Sequence, residues 1–382
     1  RKRDAQLEFT LGWKLPEALS FENPFVRGES FSGTHLQLSA TLSATEKGQP
    51  FTREFRYELG DGAATTLSAA LHAEGDRPPT LKTSPWKLVH ADGRKWPLEP
   101  AEKFYRISDR SLARYKNSDF LADLALEAER ALAGLSYLGP LREHPHRTYA
   151  WSGNTPESVG MKGEFAIACL LAADAADRSL NRGPRKQLKG FAEFIADWLV
   201  DLGVIESFEV RPTAPGRKDY EVRVKTLGGL AEVALPDVGF GISQVLPALV
   251  QAFYCPPHST VWMEQPEIHL HPQVQAELAD VFISAIRANE AGSPRQVQLI
   301  IETHSEHFLH RLQRRIADET LSPDDVAVYF AKAGRRGAEL EELKVDAFGE
   351  IINWPDNFFG DEMTEVVART EAAAKRREKG SR

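Results

Sequence analysis

The stretch VWMEQPEIHLHP, residues 261–272, decides the fold that this sequence predicts. An apolar run of strand length ends at Glu264, and a helix with apolar residues at helical spacing follows from about residue 272. An acid at the carboxyl end of a buried strand lies where open α/β folds bind their ligands. A rigidly held carboxylate at this edge suits Mg²⁺ or its waters beside a phosphate.

Two further segments repeat the pattern on either side. LIIETHSEHF, residues 299–308, places Thr303, His304 and Ser305 between an apolar strand and a helix. DVGFGISQ, residues 237–244, is a turn that enters an apolar helix. Its Gly239 and Gly241 allow close backbone approach, and the free N–H groups of the helix start suit an anion. Ser243 and Gln244 add side-chain donors on the first turn, so we predict ligand contacts at all four positions.

The order of these elements sets the predicted fold class. Strand–helix–strand–helix with continuously apolar strands predicts an α/β fold with a mostly parallel sheet covered by helices on both faces. Residues 5–110 instead alternate apolar and polar positions between turns such as GDG and ADG, which predicts an antiparallel β-rich amino-terminal lobe.

Composition excludes several classes of protein. The 382 residues are 42% apolar and 27% charged, as in ordinary globular proteins. The net charge of −8 provides no global attraction to nucleic acid, so any DNA contact needs a local patch or a partner. Cys169 and Cys255 lie in apolar surroundings and predict buried thiols in a reducing, cytoplasmic compartment. No apolar stretch has the length of a membrane-spanning helix.

Taken together, the three segments resemble the catalytic lobe of ABC-type P-loop ATPases. The branch they resemble contains the SMC, RecF and OLD-type proteins and their prokaryotic AAA relatives, and residues 236–310 carry the resemblance. YLGPLRE, residues 137–143, and WPDNFF, residues 354–359, look like features of one bacterial subset of this group. The resemblance implies an ATPase with ATP and Mg²⁺ as cofactors, acting as a homodimer. Because relatives serve DNA repair and phage defence, it also implies a DNA, nuclease or other effector partner.

The resemblance assigns roles to individual residues. Gly241 falls on the characteristic glycine of the signature motif, which in the family reaches across a dimer to the γ-phosphate, and Gly239 stands where serine is usual. Glu264 falls on the acid that holds Mg²⁺ through water. Gln265 occupies the place of the catalytic glutamate, LHP at 270–272 matches the D-loop, and His304 matches the switch histidine.

The sequence departs from the family pattern at two places. Gln265 cannot accept a proton near neutral pH, so either Glu267 or a water network replaces the base, or hydrolysis is slow and ATP acts as a dimer clamp. A glutamine can still orient an attacking water. The phosphate-binding motif G-x-x-x-x-G-K-[ST] is also absent. Its nearest match, GESFSGTH from Gly28, has Thr34 in the lysine position, and the abrupt start at Arg1 fits a chain that lacks the motif-bearing segment.

These assignments lead to four predicted regions and two alternative functions. The regions are 1–135 (β-rich lobe), 136–235 (helical insertion with strands), 236–350 (catalytic lobe) and 351–382 (WPDNFF extension and charged tail). Arg142 is predicted as a cation near the nucleotide or a nucleic acid. One alternative is a nucleotide-gated interaction module without effective hydrolysis. The other is a zinc or manganese hydrolase, with ligands drawn from Glu267, His269, His271, Glu302, His304, His307 and His310.

Overall fold

The computed structural model describes residues 6–45, 48–74, 77–183, 186–334, 337–355, 368–370, 372 and 376. The chain divides into two compact units, Arg1–Ala133 and Gly134–Arg382. The first unit ends two residues before the predicted boundary at 135. The second unit includes the predicted insertion and the predicted catalytic lobe, because helices from both regions share one hydrophobic core.

The first unit is an antiparallel sheet covered by a helix. Its elements are β1 (Gln6–Glu22), β2 (Ser30–Ala44), β3 (Pro50–Gly60), β4 (Thr65–His72), β5 (Thr80–Ser84), α1 (Asp109–Leu112) and α2 (Asp119–Ala133). The strands pair in chain order. Inward residues such as Leu38, Phe55 and Leu67 form one core with Phe120 and Leu124 of α2. Alternation in the strands and helical spacing in α2 explain this packing, and the predicted β-rich lobe is confirmed.

The near match to a phosphate-binding motif lies in this unit. Gly28 has a positive φ of 80° in the turn before β2, and Thr34 lies within the strand itself. A phosphate loop connects a strand to a helix. GESFSGTH is therefore a turn followed by a strand, as its alternating sequence predicts.

The second unit combines short strands with helices, whose bounds in the described part of the chain are as follows. The strands are β6 (Leu135–Leu138), β7 (Tyr149–Ala150), β8 (Ser179–Asn181), β9 (Lys189–Gly190), β10 (Ser207–Pro212), β11 (Asp219–Lys225), β12 (Glu232–Ala234), β13 (Thr260–Glu264), β14 (Asn289–Glu290), β15 (Ser293–Pro294), β16 (Gln298–Glu302), β17 (Val328–Gly334) and β18 (Gly337–Leu343). The helices are α3 (Ala166–Ala175), α4 (Phe191–Asp201), α5 (Phe240–Tyr254), α6 (Pro272–Arg287) and α7 (Glu306–Ala317).

A parallel sheet of three strands in the order β16-β13-β6 forms the centre of this unit. Val261 and Met263 on one face are fully buried in the core to which α5 and α6 contribute. On the other face Trp262 is 42% and Ile300 45% exposed. Within the second unit, helices therefore bury the face of Val261 and Met263, and the face of Trp262 and Ile300 is partly exposed.

Helices α3, α4 and α5 pack together in the same core. The apolar stripe predicted for α4 is buried, including Phe194, Ile195 and Leu199. Cys169 and Cys255 are free and fully buried, and burial raises the pKa of Cys169 to about 12. Both thiols are therefore packing groups, as predicted.

The carboxyl-terminal part contains the two further strands that the sequence predicts. β17 and β18 pair as an antiparallel hairpin rather than extending the parallel sheet. Of WPDNFF only Trp354 and Pro355 belong to the described residues; residues 356–359 and most of the charged tail lie outside them. No helix in the described part of the chain combines the length and apolarity needed to cross a membrane.

Candidate functional site

The carboxyl ends of the three parallel strands bring the predicted site residues to one edge. Glu264 pairs in register with Glu302, and Met263 pairs with Leu138. Neighbouring strands lie about 4.8 Å apart, so the two glutamates are adjacent. Alternation places both side chains on the face that carries Trp262 and Ile300. The predicted proximity of the acid at 264 to the switch segment at 303–305 is thus observed.

Glu264 is a half-buried carboxylate at the end of β13. The hydroxyl of Tyr137 donates a hydrogen bond to it; burial, together with this bond, raises the pKa of Tyr137 above its usual value. Tyr137 therefore remains a protonated donor at neutral pH. Glu302 lies beside Glu264 with the same charge, and a cation between them would relieve their repulsion.

This edge fits a magnesium ion that arrives with a phosphate ligand. Mg²⁺ takes one or two protein carboxylates and completes its oxygen shell with phosphates and waters. Glu264 and the exposed Glu302 provide such carboxylates. Within the described ranges no three His, Cys, Asp or Glu side chains could hold a metal together. A protein-only metal site is thus absent from the part described, and the zinc or manganese hydrolase alternative has no ligand set there.

Arg142 connects the loop after β6 to the end of β13. Its guanidinium donates to the carbonyl oxygens of Gly139 and, at 3.0 Å, Glu264. Only 7% of Arg142 is exposed, and burial lowers its pKa to about 10. The side chain is still charged at neutral pH and is occupied with backbone carbonyls. Its predicted contact with nucleotide or nucleic acid remains a prediction, while its observed contacts hold Glu264 in place.

Gln265 begins the turn that leaves β13. Its φ of 45° lies in the left-handed region, and its N–H donates to the carbonyl of Glu302 at 2.8 Å. A left-handed conformation at a non-glycine residue costs on the order of 1 kcal/mol and persists where surrounding contacts fix it. The backbone at Gln265 is therefore fixed at the point where the chain leaves the sheet edge. The side-chain amide of Gln265 is half-buried.

Glu267 faces the switch segment from inside the protein. Its Oε1 accepts hydrogen bonds from the Thr303 hydroxyl at 2.6 Å and from the His304 N–H at 3.0 Å. Glu267 is 5% exposed, and its buried Oε2 has no hydrogen-bond partner among the described residues. The carboxylate thus joins the turn after β13 to the switch segment. Its alternative role as the base stays a prediction.

His304 is the exposed member of the switch segment. Its side chain is 77% exposed, and Nε2 lies 3.1 Å from Oε1 of Glu302. Ser305 is the N-cap of α7 and accepts a hydrogen bond from the N–H of Phe308. The imidazole is therefore accessible to a ligand at the edge beside Glu302, while the neighbouring serine has the structural role that its position also suggested.

The four residues predicted at the start of α5 separate into two pairs. Gly239 is exposed with a φ of 100° and precedes the helix as its N-cap, and Gly241 is half-buried. A Cβ on Gly241 would lie 3.3 Å from the carbonyl oxygen of His269. The turn therefore packs against the loop at His269. Ser243 and Gln244 are 5% and 2% exposed, so their predicted contacts with a nucleotide remain predictions that require this turn to move.

Two contributors to the site were missed in the sequence. Tyr137 reaches Glu264 because LSYL, residues 135–138, forms the third parallel strand. A four-residue segment directly after a helix is too short for the sequence to predict this pairing. Gln275 accepts from the Ser305 hydroxyl at 2.7 Å and joins α6 to the switch segment. The position of Tyr137 inside the YLGPLRE stretch was the available signal.

Comparison with known protein families identifies the chain. Residues 82–309, more than half of the chain, match the family described as "AAA domain, putative AbiEii toxin, Type IV TA system". The chain belongs to this AAA domain family. The predicted kinship with P-loop ATPases is thereby confirmed, and the family supports a nucleotide-binding, ATPase-like function. Residues 321–368 match a second family, described as "Protein of unknown function (DUF3696)".

Solved SMC heads are similar to this AAA domain protein only at low identity. An SMC head bound to the C-winged helix domain of ScpA has 10% identity and a TM-score of 0.34, covering 79% of this chain and 78% of that chain. The SMC head domain from Thermotoga maritima has 8% identity and a TM-score of 0.33, covering 81% and 75%. An SMC head with an extended coiled coil bound to the C-terminal domain of ScpA, derived from Pyrococcus furiosus, has 8% identity and a TM-score of 0.33, covering 79% of each chain. No curated protein sequence matches the chain.

Proposed function

We propose that this AAA domain protein is an ABC-type ATPase that dimerises around Mg²⁺-ATP. The observation that carries the proposal is the common edge formed by Glu264, Glu302 and His304 at the ends of two paired parallel strands. Ligands of open α/β folds bind at this edge. Gly239 in the turn before α5 is exposed, so this turn is accessible to a second copy.

Each residue of the edge has a task in this proposal. Bound Mg²⁺ would stabilise charge on the phosphates. Glu264 holds the metal or its waters, with Tyr137 and Arg142 fixing the carboxylate and its backbone. The Gln265 amide orients the attacking water, as a glutamine does in some GTPases. His304 meets the terminal phosphate, and Glu267 holds the switch loop that presents His304.

The proposal concerns the part of the nucleotide site that these residues form, and this part does not include a phosphate-binding lysine. The 382 residues contain no G-x-x-x-x-G-K-[ST], whose lysine neutralises the β- and γ-phosphates. Among the described residues of the edge, Arg142 has its guanidinium engaged with carbonyls, and His304 is charged only when protonated. ATP binding therefore depends on a lysine-bearing phosphate loop in addition to the groups described above.

Phosphate release by the full-length protein tests the proposal. We expect Glu264→Gln to slow steady-state release with Mg²⁺-ATP by about 100-fold, because electrostatic contributions to the transition state have this size. The control Glu350→Gln changes an exposed carboxylate away from the sheet edge and should leave the rate unchanged. Equal rates for the wild type and Glu264→Gln would contradict an ATPase with Glu264 at its metal.

A nucleotide-gated module is the second candidate, and Gln265 favours it. An amide in the place of the base, with Glu267 hydrogen-bonded into the interior, leaves no exposed carboxylate at 265 or 267 to accept a proton. Under this proposal the wild type binds ATP and pairs but releases phosphate no faster than Glu264→Gln. The phosphate assay combined with an ATP-binding measurement separates the two candidates.

We base a proposal for the biological setting on the family description. Its description names a toxin of a type IV toxin–antitoxin system. We extend this to a cytoplasmic role in a defence or DNA-repair system, in which ATP-driven pairing controls a nuclease or another DNA-linked effector. Copurification of such an effector with the wild type, but not with Glu264→Gln, would support this assignment.

A further inference from the structure

A basic groove in the first unit lies outside everything assigned above. It has a volume of about 630 Å³ and follows the β5 edge of the five-stranded sheet. Twelve residues line it; Arg56, Lys82 and Lys87 carry positive charge, and none of the twelve is acidic. The whole chain has a net charge of −8. A groove of opposite sign to its protein is a local feature that favours an anionic ligand.

The register of the sheet builds the floor and walls of this groove. Arg56 on β3, Ala70 on β4 and Lys82 on β5 form one row across three strands. Their side chains share a face, and the outer two lie about 10 Å apart because strands are spaced by about 4.8 Å. The small Ala70, with Ser68 in the next row, leaves open space between the two cations. The sheet thus presents separated charges over a flat floor.

The two lysines of the groove are available to a ligand. Among the described residues no carboxylate lies within ion-pair distance of Lys82 or Lys87, and both side chains are exposed. Arg56 is paired with Glu54 at 3.2 Å and is also exposed. Exposed ammonium groups that have no carboxylate partner make favourable contacts with phosphate without first breaking an ion pair.

Aromatic rings complete the lining. The rings of His90 and Tyr115 lie 4.6 Å apart at an interplanar angle of 34°, and His90 is exposed. Trp86, 3% exposed, has a buried indole N–H with no acceptor among the described residues. Proteins that bind single-stranded nucleic acids stack the bases on aromatic rings and contact the phosphates with nearby cations.

We propose that this groove binds a single-stranded nucleic-acid segment. Lys82, Lys87 and Arg56 contact the phosphodiester backbone, and the His90–Tyr115 pair stacks with a base. Duplex recognition would need an element that enters a base groove, whereas a shallow floor with lateral rings suits unpaired bases. The inference does not depend on ATP, and it adds a site in the first unit.

Fluorescence anisotropy with a labelled ten-nucleotide oligothymidylate tests the proposal. The wild type should bind, and Lys82→Ala and Lys87→Ala should each weaken binding by about 5-fold. Each should also lower the slope of log affinity against log salt by about 0.7, the contribution of one single-strand phosphate contact. Lys95→Ala is the matched control, since Lys95 is exposed and outside the lining. His90→Ala should weaken binding with an unchanged salt slope.

Several results would overturn the assignment. These are no binding by the wild type, equal losses for Lys82→Ala and Lys95→Ala, equally tight binding of a matched duplex, and displacement by millimolar inorganic phosphate or by an abasic strand of the same length. Circular dichroism melting of each variant checks that it is folded. Because the assay contains no ATP, its outcome is separate from that of the phosphate-release experiment.

Discussion

Gln265 and Glu267 lie two residues apart, and their side chains have different surroundings. Glu267 is nearly fully buried and accepts two hydrogen bonds from the switch segment. Gln265 is half-buried beside the sheet edge and has a left-handed backbone. Of the two, Gln265 is the more accessible to water. The effect of a carboxylate at position 265 on phosphate release can therefore be measured by substitution.

We expect Gln265→Glu to accelerate phosphate release. A carboxylate at this position can accept the proton of the attacking water, and general-base catalysis contributes about 100-fold or more. Gln265→Ala is the control, since it changes the same backbone position without adding a base, and it should be slower than the wild type. Single-turnover phosphate release measures all three proteins. If Gln265→Glu were no faster than the wild type, a group other than residue 265 would handle the proton.

At the residue scale the sequence could predict which positions meet but not which way their side chains face. Glu264 and His304 share an edge because parallel strands end together, and this follows from two apolar runs. The inward orientation of Glu267 depends on Thr303 and on the backbone of His304. Arg142 is a similar case: its contacts are the carbonyls of Gly139 and Glu264. No pattern in the sequence predicts either set of contacts.

At the scale of elements, α5 shows what a helical pattern leaves open. The sequence predicts the helix and its apolar character, but two arginines from other segments satisfy its last carbonyls. Arg295 donates to the carbonyls of Ala252, at 3.1 Å, and Cys255, and Arg178 donates to that of Tyr254 at 2.9 Å. Glu290 lies between them: it is hydrogen-bonded to Arg178 and forms an ion pair with Arg295 at 3.2 Å. A loop arginine normally predicts surface, yet Arg295 is fully buried.

Removing Arg295 should therefore destabilise the second unit. Arg295→Ala leaves Glu290 with half of its charge partners and the end of α5 with unpaired carbonyls. Breaking a buried ion pair in this way costs about 3 kcal/mol. Urea denaturation followed by tryptophan fluorescence measures the free energy of unfolding. Arg287→Ala, an exposed arginine at the end of α6, is the control and should change it by less than about 0.5 kcal/mol. Equal effects of the two substitutions would contradict the capping role.

At the scale of the whole molecule the sequence predicted more of the order of elements than of their pairing. The β-rich first unit, the parallel pair β13–β16 and helices α3 to α7 follow from period and apolarity. The third parallel strand β6 does not, because its four residues carry too little pattern. The exposure of Trp262 and Ile300 was also missed. Continuous apolarity in a strand predicts that both faces are buried, but it does not show which elements bury them.

Pairing of two molecules is the prediction that belongs to this scale. The proposed ATPase has Gly241 at the start of α5 facing a second copy, so a long charged side chain there should block pairing. We expect the wild-type full-length protein to become dimeric with Mg²⁺-ATP under slow-hydrolysis conditions, and Gly241→Arg to stay monomeric, by light scattering after size exclusion. Gly190→Arg is the matched control: Gly190 is exposed at the start of α4 and has nothing within 4 Å of an added Cβ.

The close contact between Gly241 and the loop at His269 makes a stability measurement part of this test. An added Cβ lies 3.3 Å from the carbonyl oxygen of His269, so that loop must yield by a few tenths of an ångström. Gly241→Arg should nevertheless melt as a folded protein within a few degrees of Gly190→Arg. A folded Gly241→Arg that still pairs with Mg²⁺-ATP would show that the start of α5 does not face the partner. An isologous dimer buries the same surface on both copies, so one substitution within the interface changes it twice.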